Sequence, residues 1–154
     1  QYIDFTNPHR AKPASKVSSF VRMTYYWIDY VIVIPFLLRK EVQYEKYTIF
    51  DRYIFDFVVD PKRARISLPY WMRKLFAHMV IQPRIVFVLN ADADVIYNRK
   101  QELTKDEIAR QLDEYQGLKK TYKNVTFIDA NRTPQEMVEQ AIAIIMDRFL
   151  EKSF

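Results

Sequence analysis

The sequence has 154 residues, is 49% hydrophobic, and carries 24 Lys and Arg against 19 Asp and Glu, a formal charge of +5. This length is typical of one domain with a sizeable core, so we expect a single domain over residues 1–154. The absence of cysteine excludes disulfides, thiolate metal sites and thiol nucleophiles. The sequence contains one glycine, Gly117, whereas a phosphate-binding loop needs several glycines, so no such loop lies within these residues.

The N-terminal part of the sequence predicts an extended arm followed by one long helix. Two prolines keep the first 16 residues out of helical structure, and Ser15 is a good helix cap. Apolar residues then recur every three or four positions as far as about residue 41, and Pro35 should kink that helix. Its most apolar part, Tyr30–Leu38, is shorter than the roughly 20 residues that span a bilayer. We interpret it as a buried segment and expect neither a membrane span nor a signal peptide.

The rest of the sequence alternates strands with helices. Strands are predicted at residues 47–50, 84–90 and 125–128, a loop at 51–65, and helices at 67–80, after Asp92, after Thr104 and after Thr133. The last two helices begin with capping boxes, and their predicted buried stripes include Leu118 and Ile142. This alternation is typical of an α/β fold, a parallel sheet with helices on both faces. Ligands of such sheets bind outside the carboxyl ends of the strands.

Charged residues follow the first predicted strand directly. Asp51 can hold a magnesium ion, and Arg52 can bind a phosphate with two hydrogen bonds. An Asp-Arg ion pair that only closes the strand is the alternative. Asp56, Asp60 and Arg63 continue the charged segment, which could equally be a solvated loop.

A second group of cations lies between two predicted helices. Arg99 and Lys100, followed by Glu102, could close over phosphates, because phosphoryl transfer depends on positioning and on charge neutralisation. The same two cations also suit a helix C-terminus, where they complement the helix dipole. The aromatic residues between positions 25 and 30 could stack on a base, although such residues are most often part of a core.

Taken in order, these features resemble one protein family. The segment Ile49-Phe50-Asp51-Arg52-Tyr53, then Asp60-Pro61, then Arg99-Lys100-Gln101-Glu102, then the helix through Tyr115, and finally Phe127-Ile128-Asp129 resemble the thymidylate-kinase-like branch of the P-loop nucleotide kinases. The resemblance covers residues 15–150. It implies a three-layer P-loop kinase sandwich in the cytoplasm, and a phosphoryl transferase that uses ATP and Mg²⁺.

The resemblance also implies roles for individual residues. Asp51 would organise Mg²⁺ or the acceptor, Arg52 would hold the acceptor phosphate, and Arg99 with Lys100 would be lid cations on the donor side. A further set of residues would contribute to substrate binding: Tyr53, Asp56, Arg63, Glu102 and Tyr115. The expected partner is a small phosphate acceptor, a nucleotide, with no membrane and no nucleic acid.

The sequence departs from the family pattern in two ways. The first strand, the Gly-rich phosphate loop and the helix behind it are missing, so we expect the sandwich to be incomplete on its N-terminal side. These residues alone should then be inactive, and they would need a homodimer or packing against a missing N-terminal segment. In addition, Ile54-Phe55-Asp56-Phe57 stands where thymidylate kinases have small residues. The identity of the acceptor substrate is therefore left open. The alternative function is a non-catalytic module with a degenerate kinase fold that binds protein or, given the pI near 9.3, nucleic acid.

Overall fold

The computed structural model describes residue 9, residues 12–43 and residues 48–150. The chain divides into two compact units, Gln1–Gln82 and Pro83–Phe154. The described part of the first unit contains helices only, whereas the second unit contains helices and a sheet. The protein is therefore a mixed helix and strand structure, as the coarse fold class predicts.

A long helix with one widened turn begins the first unit. It consists of α1 (Lys16–Ile28), a π-helical segment (Asp29–Val33) and α2 (Ile34–Gln43). Ser15 caps α1 as predicted, because its hydroxyl accepts a hydrogen bond from the Ser18 amide at 3.2 Å. The π turn has a local cause: Pro35 has no N–H to donate, and its ring clashes with the carbonyl four residues earlier. The predicted kink therefore takes the form of a π turn.

This long helix is attached to its unit through one narrow face. Met23 is fully buried, and the buried Ser19 hydroxyl accepts a hydrogen bond from the Ser67 amide at 2.9 Å. The prediction that Tyr30–Leu38 is buried is wrong, since Phe36 is 74% exposed and Leu37 is 64% exposed. The predicted helix is confirmed, but no other part of the described first unit covers its apolar side.

By length and composition alone, the stretch Lys16–Arg39 is long and apolar enough to cross a membrane. The core helix of a soluble protein and a signal sequence near the N-terminus meet the same criterion. We therefore draw no conclusion about a membrane from this stretch.

Two predictions for the segment after this helix need correction. Tyr47 lies outside the described residues, and Thr48–Phe50 pair with no strand in the described part of the chain. The predicted loop at 51–65 contains a short helix, α3 (Phe55–Val59), which packs against α4 (Tyr70–His78). Burial explains α3, because the side chains of Phe55, Val58 and Val59 all enter the core of this unit.

The second unit is built on two parallel strands. β1 (Val86–Asn90) pairs with β2 (Val125–Asp129) in the register Val86 to Val125 through Asn90 to Asp129. α5 (Ala93–Arg99) and α6 (Lys105–Thr121) connect the strands, and α7 (Pro134–Leu150) follows β2. Both α6 and α7 pack against β2. The two strands predicted in this half of the sequence are confirmed as a parallel pair.

The predicted helix starts of this unit are also present. Thr104 accepts a hydrogen bond from the Glu107 amide at 3.3 Å. Thr133 and Glu136 form both halves of a capping box, with distances of 2.9 and 3.4 Å. Asp92 precedes α5, but its side chain makes no capping bond. On α7, Ile142 is 54% exposed, so its predicted burial is wrong.

Candidate functional site

Asp51 and Arg52 lie in an exposed bend that precedes α3. The Arg52 guanidinium donates to the Asp56 carboxylate at 2.7 Å, one helical turn further along the chain. The Asp51 carboxylate is exposed and makes no hydrogen bond or ion pair with the described residues. Of the two residues predicted to act together, Arg52 is thus held by a neighbour, whereas Asp51 presents an exposed carboxylate.

An aromatic cluster lies beside this bend. The ring of Tyr53 meets the ring of Tyr30 edge-on, with centroids 4.7 Å apart, and the ring of Phe50 at 5.7 Å. The Tyr53 hydroxyl donates to the Ile81 carbonyl. Burial, followed by the negative charges of Tyr53, Asp56 and Asp29, raises the pKa of Tyr30 to about 12. Burial also raises the pKa of Tyr53, so both phenols stay protonated at neutral pH.

Arg63 lies further along, in the turn after α3. Its backbone amide donates to the Asp60 carboxylate at 3.4 Å, and its side chain is exposed. Asp60 also contacts the His9 ring nitrogen at 2.7 Å. The cations predicted here therefore lie on a hydrogen-bonded turn, and the Arg63 side chain is exposed to a ligand.

Polar groups meet at the carboxyl end of the sheet in the second unit. The Ala130 amide donates to the Asn90 carbonyl at 2.7 Å, and the Arg99 guanidinium donates to the Ala130 carbonyl at 2.7 Å. Asp129 accepts from the Asn131 amide at 3.0 Å and from Arg132 at 3.2 Å. Both contacts, the Asn131 bond foremost, lower the pKa of Asp129. This edge therefore combines a fixed carboxylate with a guanidinium.

The other predicted lid residues lie just beyond α5. The Lys100 ammonium pairs with the Glu102 carboxylate at 2.6 Å, and the lysine side chain is 74% exposed. Tyr115 is half-buried on α6. The structure brings Lys100 and Glu102 together, and it fixes Arg99 at the strand end instead of leaving it in an open loop.

The two predicted groups belong to different units. Asp51, Arg52, Tyr53, Asp56 and Arg63 lie in the first unit, whereas Arg99, Lys100, Glu102 and Tyr115 lie in the second. Their convergence on one cleft stays a prediction.

The sequence assigns no individual role to Tyr30 or Asn90. Tyr30 is one of the aromatic residues that could stack on a base or belong to a core, and its contact with Tyr53 joins residues far apart in the sequence. Asn90 is predicted only as a polar residue at a strand end. The position of Asn90 in the sequence could have indicated its place in the site, because Asn90 ends a strand at the same edge of the sheet as Asp129.

No protein family model, no curated protein and no solved structure matches this chain.

Proposed function

We propose that this chain carries the acceptor and lid side of a nucleotide-kinase-like phosphoryl transferase of the thymidylate-kinase-like type. In this proposal the two units belong to a P-loop kinase sandwich whose donor loop lies in a further segment of the intact protein. The substrate is a phosphate-bearing acceptor, a nucleoside monophosphate or a related small molecule.

The observation that carries the proposal is the polar edge of the parallel sheet. Parallel α/β sheets bind ligands outside the carboxyl ends of their strands. At that end of β1 and β2 the Asn90 carbonyl and the Arg99 guanidinium both bond to the Ala130 peptide group, which directly follows Asp129 in the chain. A cation fixed beside a strand end is suited to neutralising charge on a transferring phosphoryl group.

In this proposal the acceptor phosphate binds at the bend in the first unit that contains Arg52. The Arg52 side chain is 55% exposed even while it pairs with Asp56, so a phosphate can reach its guanidinium from solvent. The Asp56 carboxylate orients this guanidinium. The protonated Tyr53 side chain donates a hydrogen bond to the Ile81 carbonyl. This bond holds the Tyr53 ring in place beside the bend.

The residues present fit a magnesium ion but not the donor phosphates. Mg²⁺ in phosphoryl-transfer sites typically uses one or two carboxylates together with substrate phosphates and water, and Asp51 offers an exposed carboxylate. When bound, the ion would neutralise phosphate charge. Donor phosphates need a cradle of backbone amides, and the one glycine, Gly117, lies inside α6. We therefore assign no donor-binding step to these residues.

The test is phosphoryl transfer by the intact protein with a panel of nucleoside monophosphates. Arg52→Ala should raise the acceptor KM or lower kcat/KM by about 10- to 100-fold, the cost of losing a charged hydrogen bond. Arg52→Lys should recover only part of this loss, because lysine cannot make the bidentate contact. Lys120→Ala, an exposed lysine on α6, serves as the matched control and should leave the kinetics unchanged.

A protein that binds ATP through its own phosphate loop and yet transfers phosphate to no acceptor in the panel would contradict the proposal. Salt-sensitive retention of oligonucleotides by such a protein would instead support the binding-module alternative, since nucleic-acid affinity falls steeply with salt.

A further inference from the structure

The positive charge of the sequence is concentrated in the first unit. Residues 1–82 contain 13 Lys and Arg against 7 Asp and Glu, whereas residues 83–154 contain 11 against 12. Five of the cations in the described first unit lie on two short segments, residues 12–16 and 62–65, and all five are exposed. We call them the basic cluster: Lys12, Lys16, Lys62, Arg63 and Arg65.

Two hydrogen bonds bring the two segments of the basic cluster together. The Arg65 guanidinium donates through Nε to the Lys12 carbonyl at 3.1 Å, across 53 residues of sequence. The Ala14 amide donates to the Arg65 carbonyl at 3.4 Å, and α1 begins two residues later, at Lys16. Lys12 and Lys16 therefore lie beside the turn that carries the other three cations.

The turn that carries those three cations is held in place by further hydrogen bonds. The Arg65 amide donates to the Lys62 carbonyl at 2.9 Å. From α1, the half-buried Arg22 guanidinium donates to the Ala64 carbonyl at 3.1 Å. The backbone of the turn is thus fixed before any ligand arrives, which lowers the entropy cost of binding.

Arg65 has a backbone conformation that arginine rarely adopts. Its φ is 57°, in the left-handed region that glycine and asparagine enter more readily than residues with long side chains. Strained conformations of this kind are concentrated at binding and catalytic sites. Glycine or asparagine would make the same turn with less strain, so the charge of the arginine explains its presence better than the backbone does.

The electrostatic field of the basic cluster favours a bound anion. Like charges that are gathered in one place repel each other, and an anion between them lowers this repulsion. The first turn of α1 contains no acidic residue, and its N-terminus adds the positive end of the helix dipole. The Asp60 carboxylate lies at the start of the turn, where it accepts from the Arg63 amide at 3.4 Å and contacts the His9 ring at 2.7 Å. One carboxylate balances one of the five positive charges.

The residue types and the compactness of the cluster favour linked phosphate groups. An arginine such as Arg63 can donate two parallel hydrogen bonds to one phosphate, and a lysine binds phosphate as a point charge. Nucleic acids spread their phosphates along a strand and are bound by a correspondingly long row of cations, whereas these cations are gathered at one turn. Each carboxylate of an acidic peptide carries a single charge, so linked phosphates supply more negative charge in the space of one turn.

We propose that the basic cluster is a binding site for an oligophosphate, a small molecule that carries two or more linked phosphate groups. The site lies at the turn between α3 and α4, whereas the bend that contains Arg52 precedes α3. This inference does not depend on the proposed enzymatic function, because the anion binds here without being transferred.

The test is calorimetric titration of the full chain with inorganic tripolyphosphate, at low ionic strength and without Mg²⁺ or nucleotide. The wild-type protein should bind one tripolyphosphate, bind inorganic monophosphate at least about tenfold more weakly, and lose affinity as salt is added, because salt screens exposed charges. Lys62→Ala and Arg63→Ala should each raise the Kd by about tenfold or more, the cost of a lost hydrogen bond to a charged group.

Two further variants make the test specific to this turn. Arg65→Asn keeps a residue that tolerates positive φ but removes the cation, so it should also raise the Kd by about tenfold while the fold is kept. Lys120→Ala, an exposed lysine in the second unit, is the matched control for Lys62→Ala and should bind tripolyphosphate as the wild type does. Circular dichroism and thermal unfolding confirm that each variant is folded.

Three results would overturn the proposal. The first is a folded wild-type protein that does not bind tripolyphosphate, and the second is binding that the folded variants at positions 62, 63 and 65 leave unchanged. The third is loss of binding in Arg52→Ala with the turn variants unaffected, which would place the anion at the bend before α3. Tighter binding of a single-stranded oligonucleotide or of phosphatidylglycerol vesicles than of tripolyphosphate would likewise reject a small oligophosphate and identify the larger anion as the partner.

Discussion

At the scale of single residues, the pair Tyr30 and Tyr53 shows how burial fixes a protonation state. Neither phenol lies near a cation in the described contacts, and the carboxylates of Asp29 and Asp56 act on Tyr30 from nearby. Burial and these negative charges both disfavour the phenolate. The cluster therefore remains neutral well above physiological pH.

This protonation state predicts a loss of stability in alkali. Below pH 10 tyrosine is protonated in both the folded and the unfolded chain, whereas between pH 10 and about 12 only the folded chain keeps the Tyr30 proton. The free energy of unfolding should therefore fall as the pH rises through this window. Urea unfolding at about pH 8 and pH 11 measures the loss, which should be smaller in Tyr30→Phe. An equal loss in the two proteins would contradict the assignment.

At the scale of helices and strands, the capping box of α7 depends only on residues that are three positions apart in the sequence. Thr133 and Glu136 satisfy each other's backbone amides. The bonds from Thr133 lower the pKa of Glu136, so that the stabilising carboxylate is lost as the pH falls through that lowered pKa.

Thr133→Ala should remove half of the box. We expect a loss of about 1 kcal/mol in the free energy of unfolding, a typical cost for an N-cap, and an upward shift in the pKa of Glu136. Chemical denaturation and a carbon-detected NMR titration of the glutamate give the two values. Thr133→Ser keeps the hydroxyl and should behave as the wild type does; a Glu136 pKa unchanged by Thr133→Ala would contradict this account.

A second feature at this scale is the edge of β1 opposite β2, which pairs with no strand among residues 9, 12–43 and 48–150. Val86 donates to Asn124, and Asn90 accepts from Ala130, so the even-numbered residues of β1 hydrogen-bond to β2. The backbone of Phe87 and Leu89 then points away from β2, because alternate residues of a strand bond to opposite sides. Leu89 is 61% exposed.

Amide exchange should distinguish the two sides of this strand. In the full chain, the Phe87 and Leu89 amides should exchange with solvent faster than the Val88 amide between them. Hydrogen exchange followed by NMR gives the individual rates, and the Ile128 amide of β2 provides an internal reference. Equal protection along β1 would mean that another strand covers this edge.

These elements also show what a sequence can predict. The caps at Ser15, Thr104 and Thr133 bond to amides three residues away, and β1 and β2 are short, largely apolar runs, so local patterns are sufficient to predict them. Burial of Phe36 or Ile142 depends on what packs against the helix, which no local pattern contains. No local pattern predicts helix α3, because its five residues are stabilised by the burial of Phe55, Val58 and Val59 and not by helix propensity.

At the scale of the whole molecule, the scarcity of glycine determines what the chain can do alone. The predicted acceptor residues at 51–63 lie in the first unit and the predicted lid residues at 99–115 in the second, but neither contains a glycine-rich loop. In the proposed function, the donor site therefore comes from outside these 154 residues.

We accordingly expect the 154-residue chain by itself to show no turnover of ATP above background. Production of ADP in a coupled assay, with and without nucleoside monophosphates, measures this. The intact protein, assayed in parallel, is the control. Robust turnover by the short chain would mean that its residues bind donor phosphates without a backbone cradle, and the proposed division of roles would have to be abandoned.

The Ala130 peptide group has a practical consequence for mutagenesis. Its amide is bonded to Asn90, and its carbonyl is bonded to Arg99, so removing the arginine side chain loosens the turn that orients Asp129. A loss of activity in an Arg99 variant would thus have two causes that cannot be separated: the loss of the cation itself and the displacement of the Asp129 carboxylate. Lys100, whose ammonium contacts only the nearby Glu102 among the described ion pairs, is the cleaner position at which to ask whether a lid cation contributes to rate.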